Sequence, residues 1–440
     1  MTRISRRNFV RGGLAVGAAI ATTRCASPQA QAPLGTPNNP ARGPEFNANK
    51  IKDVTLRFIG TGVAQVNEIR TQAEKDLGFK LRMRALSTAE NIQIAVTQPK
   101  QYDIFDGEFF SLPLVIPSGN LQGIDVNKLK DFDKITPIFT TGELRPGARV
   151  NTSQGTAPRK VLFVKDQNST EFAAQPTNWA TLIPYQYGAD TLGYRPDLVG
   201  RKIESWAELF NPEFKGKTSL LDIPSIGIMD AAMVMEAQGL MTFSDKGNMT
   251  REELNKVTQL LIQQKQDGQF RAFWKTFDES VNFMSSGEVI LQSMWSPAVT
   301  AVKGRGLPCI YAALKEGYRG WGGGLGLSKN LSGIQLDAAY EYLNWTLSGW
   351  LGSFLSRQGY YSAAPESARK LMKPEEWDFW YDGKAAAIDM IDPFGKTIEP
   401  KGAVRDGGSF NERVGNIVCW NSFMQEQEYL VYKWTEFIVA

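Results

Sequence analysis

From residue 53 onward, short apolar blocks alternate with segments of helical spacing. Val54 to Ile59 reads as a strand, and Gln65 to Leu77 has the period of an amphipathic helix that ends at Gly78. Lys80 to Leu86 alternates as a second strand, Ala89 to Val96 reads as a second helix, and Tyr102 to Phe105 as a third strand. This β–α–β–α–β succession predicts a parallel sheet with helices on both faces. Ligands in such sheets bind beyond the carboxyl ends of the strands, here Gly60-Thr61-Gly62 and Asp106-Gly107-Glu108. Gly60 and Gly62 suit either a tight turn or a close ligand approach.

Residues 145–178 break the rhythm with loop-like runs and read as a surface insertion carrying one short strand, Val161 to Val164. Alternation then resumes. A strand is expected over Thr218 to Leu221, helices over 226–237 and 250–266, and a strand over Glu288 to Gln292. One or two helices are expected in 335–357. Glu412 to Phe437 reads as helical and aromatic-rich.

The first residues follow a different pattern. Arg3, Arg6, Arg7 and Arg11 precede a weakly apolar run, Gly12 to Ala21, and residues 1–32 contain no acid. The run is about half the ~20 residues that span a bilayer. With the adjacent Arg6 and Arg7 it reads as a twin-arginine export signal over 1–32, and so predicts a periplasmic protein. Cys25 marks a second possible processing point, by lipidation. Residues 33–50, rich in Pro, Asn and Ala, read as a flexible leader.

Composition narrows the chemistry. The 440 residues are 42% hydrophobic and 22% charged, enough for a large core and two domains. The leader holds five arginines; without them 44 basic residues face 46 acidic ones, and no basic stripe suggests nucleic acid. The chain contains no histidine, which removes His-based acid/base catalysis, Ser-His and Cys-His nucleophiles, and most zinc, copper and haem sites. Cys309 and Cys419 are open to two readings, one disulfide or two buried thiols, and no CxxC occurs. No cofactor is expected.

One block carries a family resemblance. Ile203-Glu-Ser-Trp-Ala-Glu-Leu-Phe-Asn-Pro-Glu-Phe-Lys-Gly216, preceded by Ile183-Pro-Tyr-Gln-Tyr-Gly188 and followed by Ser286-Gly-Glu-Val289 and Trp295, resembles bacterial solute-binding proteins of ABC importers, in particular the spermidine/putrescine-binding branch. The likeness runs from about residue 53 to the C-terminus, with gaps at 145–178 and around 375–410. It implies an α/β, two-lobed periplasmic-binding-protein fold (type II). Two crossover strands, near Thr191-Leu192 and near Trp321, would flank a ligand cleft. One lobe would be 51–191 plus 321–360, the other 192–320 plus 361–440. It also implies a monomer that binds a small molecule, works with a permease in the inner membrane, and performs no catalysis.

By the same match, Trp295 and Trp321 stand at the two cleft tryptophans, and Phe110 and Tyr360 at cleft tyrosine positions. Aromatic faces of this kind hold methylene chains and cations. The acids depart from the family pattern: its aspartate two residues after the second tryptophan is Gly323 here, and its acidic pair after Thr218 to Leu221 falls on Ile226 and Met229. Asp190, Asp222 and Asp230, with Asp106 and Glu108 at a strand end beside Thr61, are the candidate replacements. Arg319 and the run Gly320 to Gly326 permit two readings: an anion cradle, or a crossover strand with close backbone packing.

The sequence therefore predicts capture of a small, amine-bearing, polyamine-like solute. A zwitterionic or anionic solute is the alternative within the class, and an exported hydrolase the alternative outside it. Enzyme motifs are weak. Ser367 and Lys370 spell SxxK without companion motifs, and Ser225 in Ile223 to Gly227 lacks both the first glycine of a nucleophile elbow and a histidine.

Overall fold

The computed structural model of the chain describes residues 51–440 apart from Pro146 and Thr152. The twin-arginine signal, Cys25 and the leader to residue 50 lie outside the described residues.

Strand β1 (Thr55–Thr61), helix α1 (Asn67–Leu77), β2 (Lys80–Leu86), α2 (Thr88–Thr97) and β3 (Ile104–Glu108) follow in the expected order. Helix α1 buries Ile69, Ala73 and Leu77 on one face and stops at Gly78, whose φ of 79° suits glycine. Helix α2 begins with a capping box between Ser87 and Glu90. β1 pairs in parallel with β2 and with β3.

The chain continues through β4 (Ile183–Tyr194), β5 (Thr218–Leu221), α3 (Pro224–Ala237), α4 (Arg251–Gln266), β6 (Phe270–Trp274), α5 (Phe277–Ser286), β7 (Leu291–Met294), α6 (Ser296–Gly304) and β8 (Tyr318–Ser328). The main sheet runs β6-β5-β7-β4-β8-β3-β1-β2. β4 and β8 are central and antiparallel, with Arg319 opposite Asp190 and Trp321 opposite Gly188. Beyond that contact β4 pairs with β7, from Thr191 opposite Met294 to Tyr194 opposite Leu291. β8 pairs with β3, from Gly323 opposite Glu108 to Leu327 opposite Ile104. One apolar core gathers around Phe58, Phe105 and Leu343, and a second around Leu220, Met233 and Leu261.

Every residue of β4 and β8 is buried, so neither strand shows the alternation of a half-exposed one. The glycines of β8 permit close packing. A Cβ on Gly324 would stand 2.8 Å from Leu182 Cβ and 3.0 Å from the Ile183 carbonyl oxygen, and one on Gly322 would stand 2.9 Å from the Phe139 ring.

Three expectations are corrected. The strand placed over Glu288 to Gln292 lies at Leu291–Met294. The segment 145–178 is a surface insertion only in part: Lys165 to Asn178 holds no buried residue, but Val150, Ala157, Leu162 and Val164 are buried in the first core, and Val161 to Val164 forms isolated bridges rather than a strand. The C-terminal stretch is broken by strand β9 (Ile417–Trp420), parallel to β8, before the last helix (Gln427–Val439). The region 335–357 forms two helices, Gly333–Leu347 and Trp350–Ser356. Cys309 and Cys419 are free and buried, in different apolar clusters. Among the described residues no helix is long and apolar enough to cross a membrane.

Candidate functional site

The carboxyl ends of β1 and β3, the start of α2, and the centres of β4 and β8 meet around a cavity of about 50 Å³. At ~10–15 Å³ per water, that is room for about four waters or a comparably small part of a solute. Thr61, Phe110, Asp190, Trp295, Trp321 and Tyr360 all line it. Asp222 does not. Its carboxylate accepts from Trp434 Nε1 at 2.6 Å and lies 3.1 Å from Lys275 Nζ.

The aromatic lining is fixed by its neighbours. Trp295 meets Trp274 edge to face at 4.9 Å between ring centres, and Trp321 meets Tyr360 in the same manner at 5.1 Å. Phe110 stacks on Phe423 at 5.3 Å.

Three lining carboxylates come from the central strands. The period of two along β3 puts Asp106 and Glu108 on one face. Asp106 accepts from Tyr185 Oη at 2.8 Å and Gln65 Nε2 at 2.7 Å. Glu108 accepts from Asn421 Nδ2 at 3.3 Å. Asp190 Oδ1 accepts from Tyr311 Oη and Trp321 Nε1, each at 3.0 Å. Burial disfavours the charged form of all three. It pushes Asp106 up to about 7 against the bonds from Tyr185 and Gln65. It pushes Glu108 up to about 8, reinforced by the charge of Asp190. Asp190 reaches about 6, because Arg319 offsets part of its burial.

Other lining groups are also acceptors short of donors. Asn91 uses its Nδ2 on the Asp106 carbonyl at 2.8 Å, and its Oδ1 accepts nothing among the described residues. Gln186 Oε1 is likewise without a donor among the described residues. A cavity of buried acceptors with aromatic walls is matched by a ligand rich in N–H donors and positive charge.

Arg319 does not line this cavity. Its Nε bonds Asp230 Oδ1 at 2.8 Å, and its Nη1 bonds Asn421 and stands 3.5 Å from Asp190 Oδ2. Asp230 is thereby engaged as well. The glycine run is paired with β4 on one side and β3 on the other, which fits the close-packed strand rather than an anion cradle. Among the described residues no group of three or more Asp, Glu or Cys is arranged to hold a metal ion.

Of the three positions where the resembled family carries acids, Ile226 and Gly323 line the cavity, whereas Met229 is buried in the second apolar core. Acidity is therefore supplied from β3 and β4 instead. Asn421 and Asn91 were missed in the sequence. Asn421 sits just after β9, a strand hidden in a stretch read as helix, and nothing local marks Asn91.

Comparison with known proteins gives concordant findings. Residues 70–377 match the family described as bacterial extracellular solute-binding protein. The chain is 26% identical over 315 residues to the spermidine/putrescine-binding periplasmic protein of Escherichia coli K12, covering 69% of this chain and 76% of that one. A protein described as a spermidine/putrescine ABC transporter from Listeria monocytogenes superposes with a TM-score of 0.62 at 15% identity, over 87% of this chain and 98% of its own. The binding protein AgtB of A. tumefaciens R10, in complex with agropinic acid, superposes with a TM-score of 0.56 at 16% identity, over 88% and 99%. These two structures share the two-lobed solute-binding fold with this chain.

Proposed function

The chain belongs to the family of bacterial extracellular solute-binding proteins, and we propose that it is the capture component of an ABC importer for a small amine-bearing cation. The observation that carries this reading is the company of Asp106, Glu108 and Asp190 with Trp295 and Trp321 around one cavity. Carboxylates meet ammonium groups and indole faces meet the methylenes between them. The relatives named for spermidine and putrescine support the amine class, whereas AgtB, seen with agropinic acid, marks how far ligands vary within the fold.

Capture works by closure. We place the hinge in β4 and β8, with 51–191 and 321–360 on one side and 192–320 and 361–440 on the other. The segment after 360 touches both sides: Tyr361 packs on Tyr187, while Glu399 and Asp406 pair with Lys303. Ligand shifts the open–closed equilibrium toward the closed form, which an inner-membrane permease then reads. The protein acts in the periplasm as a monomer, without turnover, and the twin-arginine leader is its route there.

Isothermal titration of the purified protein with putrescine, spermidine, a monoamine, a betaine, an amino acid and a dicarboxylate tests the reading. One-to-one binding of an amine at micromolar affinity or tighter, roughly −8 kcal/mol, is expected. Binding of the dicarboxylate alone would overturn it.

A further inference from the structure

Helix α6 borders a second, smaller cavity of about 30 Å³ that shares no lining residue with the first. Its lining holds three cations, Lys303, Arg405 and Arg413, and two carboxylates, Glu399 and Asp406. Lys303 engages both carboxylates, bonding Glu399 and standing 2.9 Å from Asp406. Asp406 also accepts from the Tyr311 backbone N–H at 3.0 Å.

The two arginines have no such partner. Arg405 is 6% exposed and Arg413 3%, and neither forms an ion pair with a described carboxylate. Arg405 donates to the Trp380 carbonyl, and Arg413 to the carbonyls of Asp406 and Ala189. Each guanidinium lies between ring faces. Arg405 is 5.0 Å from the Tyr361 ring centre and 5.2 Å from that of Trp380, and Arg413 is 4.5 Å from Tyr311 and 4.9 Å from Tyr318. Ring faces return only part of the hydration a buried cation loses, and Arg413 repels Arg405. The lining as a whole carries one uncompensated positive charge.

We propose that this cavity binds one small monovalent inorganic anion, of chloride size, between Arg405 and Arg413. The volume holds about two waters and so one halide, and a single negative charge neutralises the lining. Arg405, Asp406 and Tyr311 also line a broad groove of about 970 Å³, through which the ion exchanges. The site lies one ring from the solute cavity, because Tyr311, beneath Arg413, donates its hydroxyl to Asp190.

The test uses the mature protein dialysed into sodium gluconate and titrated with sodium chloride at constant ionic strength, followed by thermal unfolding. A rise that grows with the logarithm of chloride concentration above the dissociation constant, reaching about 2 °C at ten times that constant, is expected, and its loss in Arg405→Gln and Arg413→Gln. A rise linear in chloride with no midpoint, or one equal in wild type and both variants, overturns the proposal. Crystals of the wild-type protein soaked in sodium bromide give a second reading should the variants fail to fold. An anomalous peak between the two guanidinium groups supports the site, and an empty cavity there overturns it.

Discussion

Trp321 Nε1 donates to Asp190 Oδ1 at 3.0 Å across the β4–β8 pair. One bond thus orients an aromatic wall of the cavity and holds a buried carboxylate beside it. Trp321→Phe keeps the wall and removes the donor. It should raise the pKa of Asp190 above its present value of about 6 and destabilise the fold by about 1–3 kcal/mol, read by urea denaturation.

Removing the walls should cost affinity directly. Trp295→Ala and Trp321→Ala are each expected to weaken solute binding at least tenfold, about 1.4 kcal/mol, in isothermal titration. Unchanged affinity in both would place the solute elsewhere.

The carboxylates are separable by a pair of near-isosteric changes. Glu108→Gln should weaken an amine at least tenfold, whereas Asp222→Asn should leave its affinity within about twofold, since Asp222 is engaged with Trp434 and Lys275 away from the cavity. The reverse order would show that the solute is not held where Glu108 points.

Acid dependence follows from the same groups. Asp106, Glu108 and Asp190 hold pKa values of about 7, about 8 and about 6 in the folded chain, above the roughly 4 of an exposed carboxyl. The folded chain then carries more protons than the unfolded one between about pH 4 and pH 8, so stability falls as pH rises through that window. The ligand-free protein should melt higher at about pH 5 than at about pH 8, and Glu108→Gln should flatten the upper part of the fall. A cationic solute instead favours the ionised acids, so its affinity should rise over the same window, with protons released on binding near pH 7. Titrations in Tris and in PIPES should give different heats; equal heats would contradict a cation.

Arg319 joins Asp230, Asp190 and Asn421 in a buried network. Arg319→Met leaves two buried carboxylates without their cation and should destabilise the chain by about 3–5 kcal/mol, measured by chemical denaturation.

Much of this arrangement is legible in the sequence. Period and capping marked β1 to β3 with their helices, and the resemblance placed Trp295, Trp321, Phe110 and Tyr360 at one cavity. The failures have physical causes. Ile417 to Trp420 is a four-residue apolar run, too short for periodicity to separate strand from helix, and its loss hid Asn421. Loop-like composition over 145–178 concealed Leu162 and Val164, whose burial depends on partners distant in sequence. Asp222 and Asp190 look alike in the chain. Only the pairing of β4 with β8 and the reach of Trp434 from the C-terminal helix distinguish them.

The lining is uneven along the chain. Every cavity carboxylate precedes residue 191, while Ile226, Trp295 and Asn421, beyond it, are uncharged. On the proposed hinge, one lobe supplies every charge that meets the solute, and the other meets it with uncharged groups alone. Changes at Ile226, Trp295 and Asn421 should then alter which amines are retained while the preference for positive charge persists.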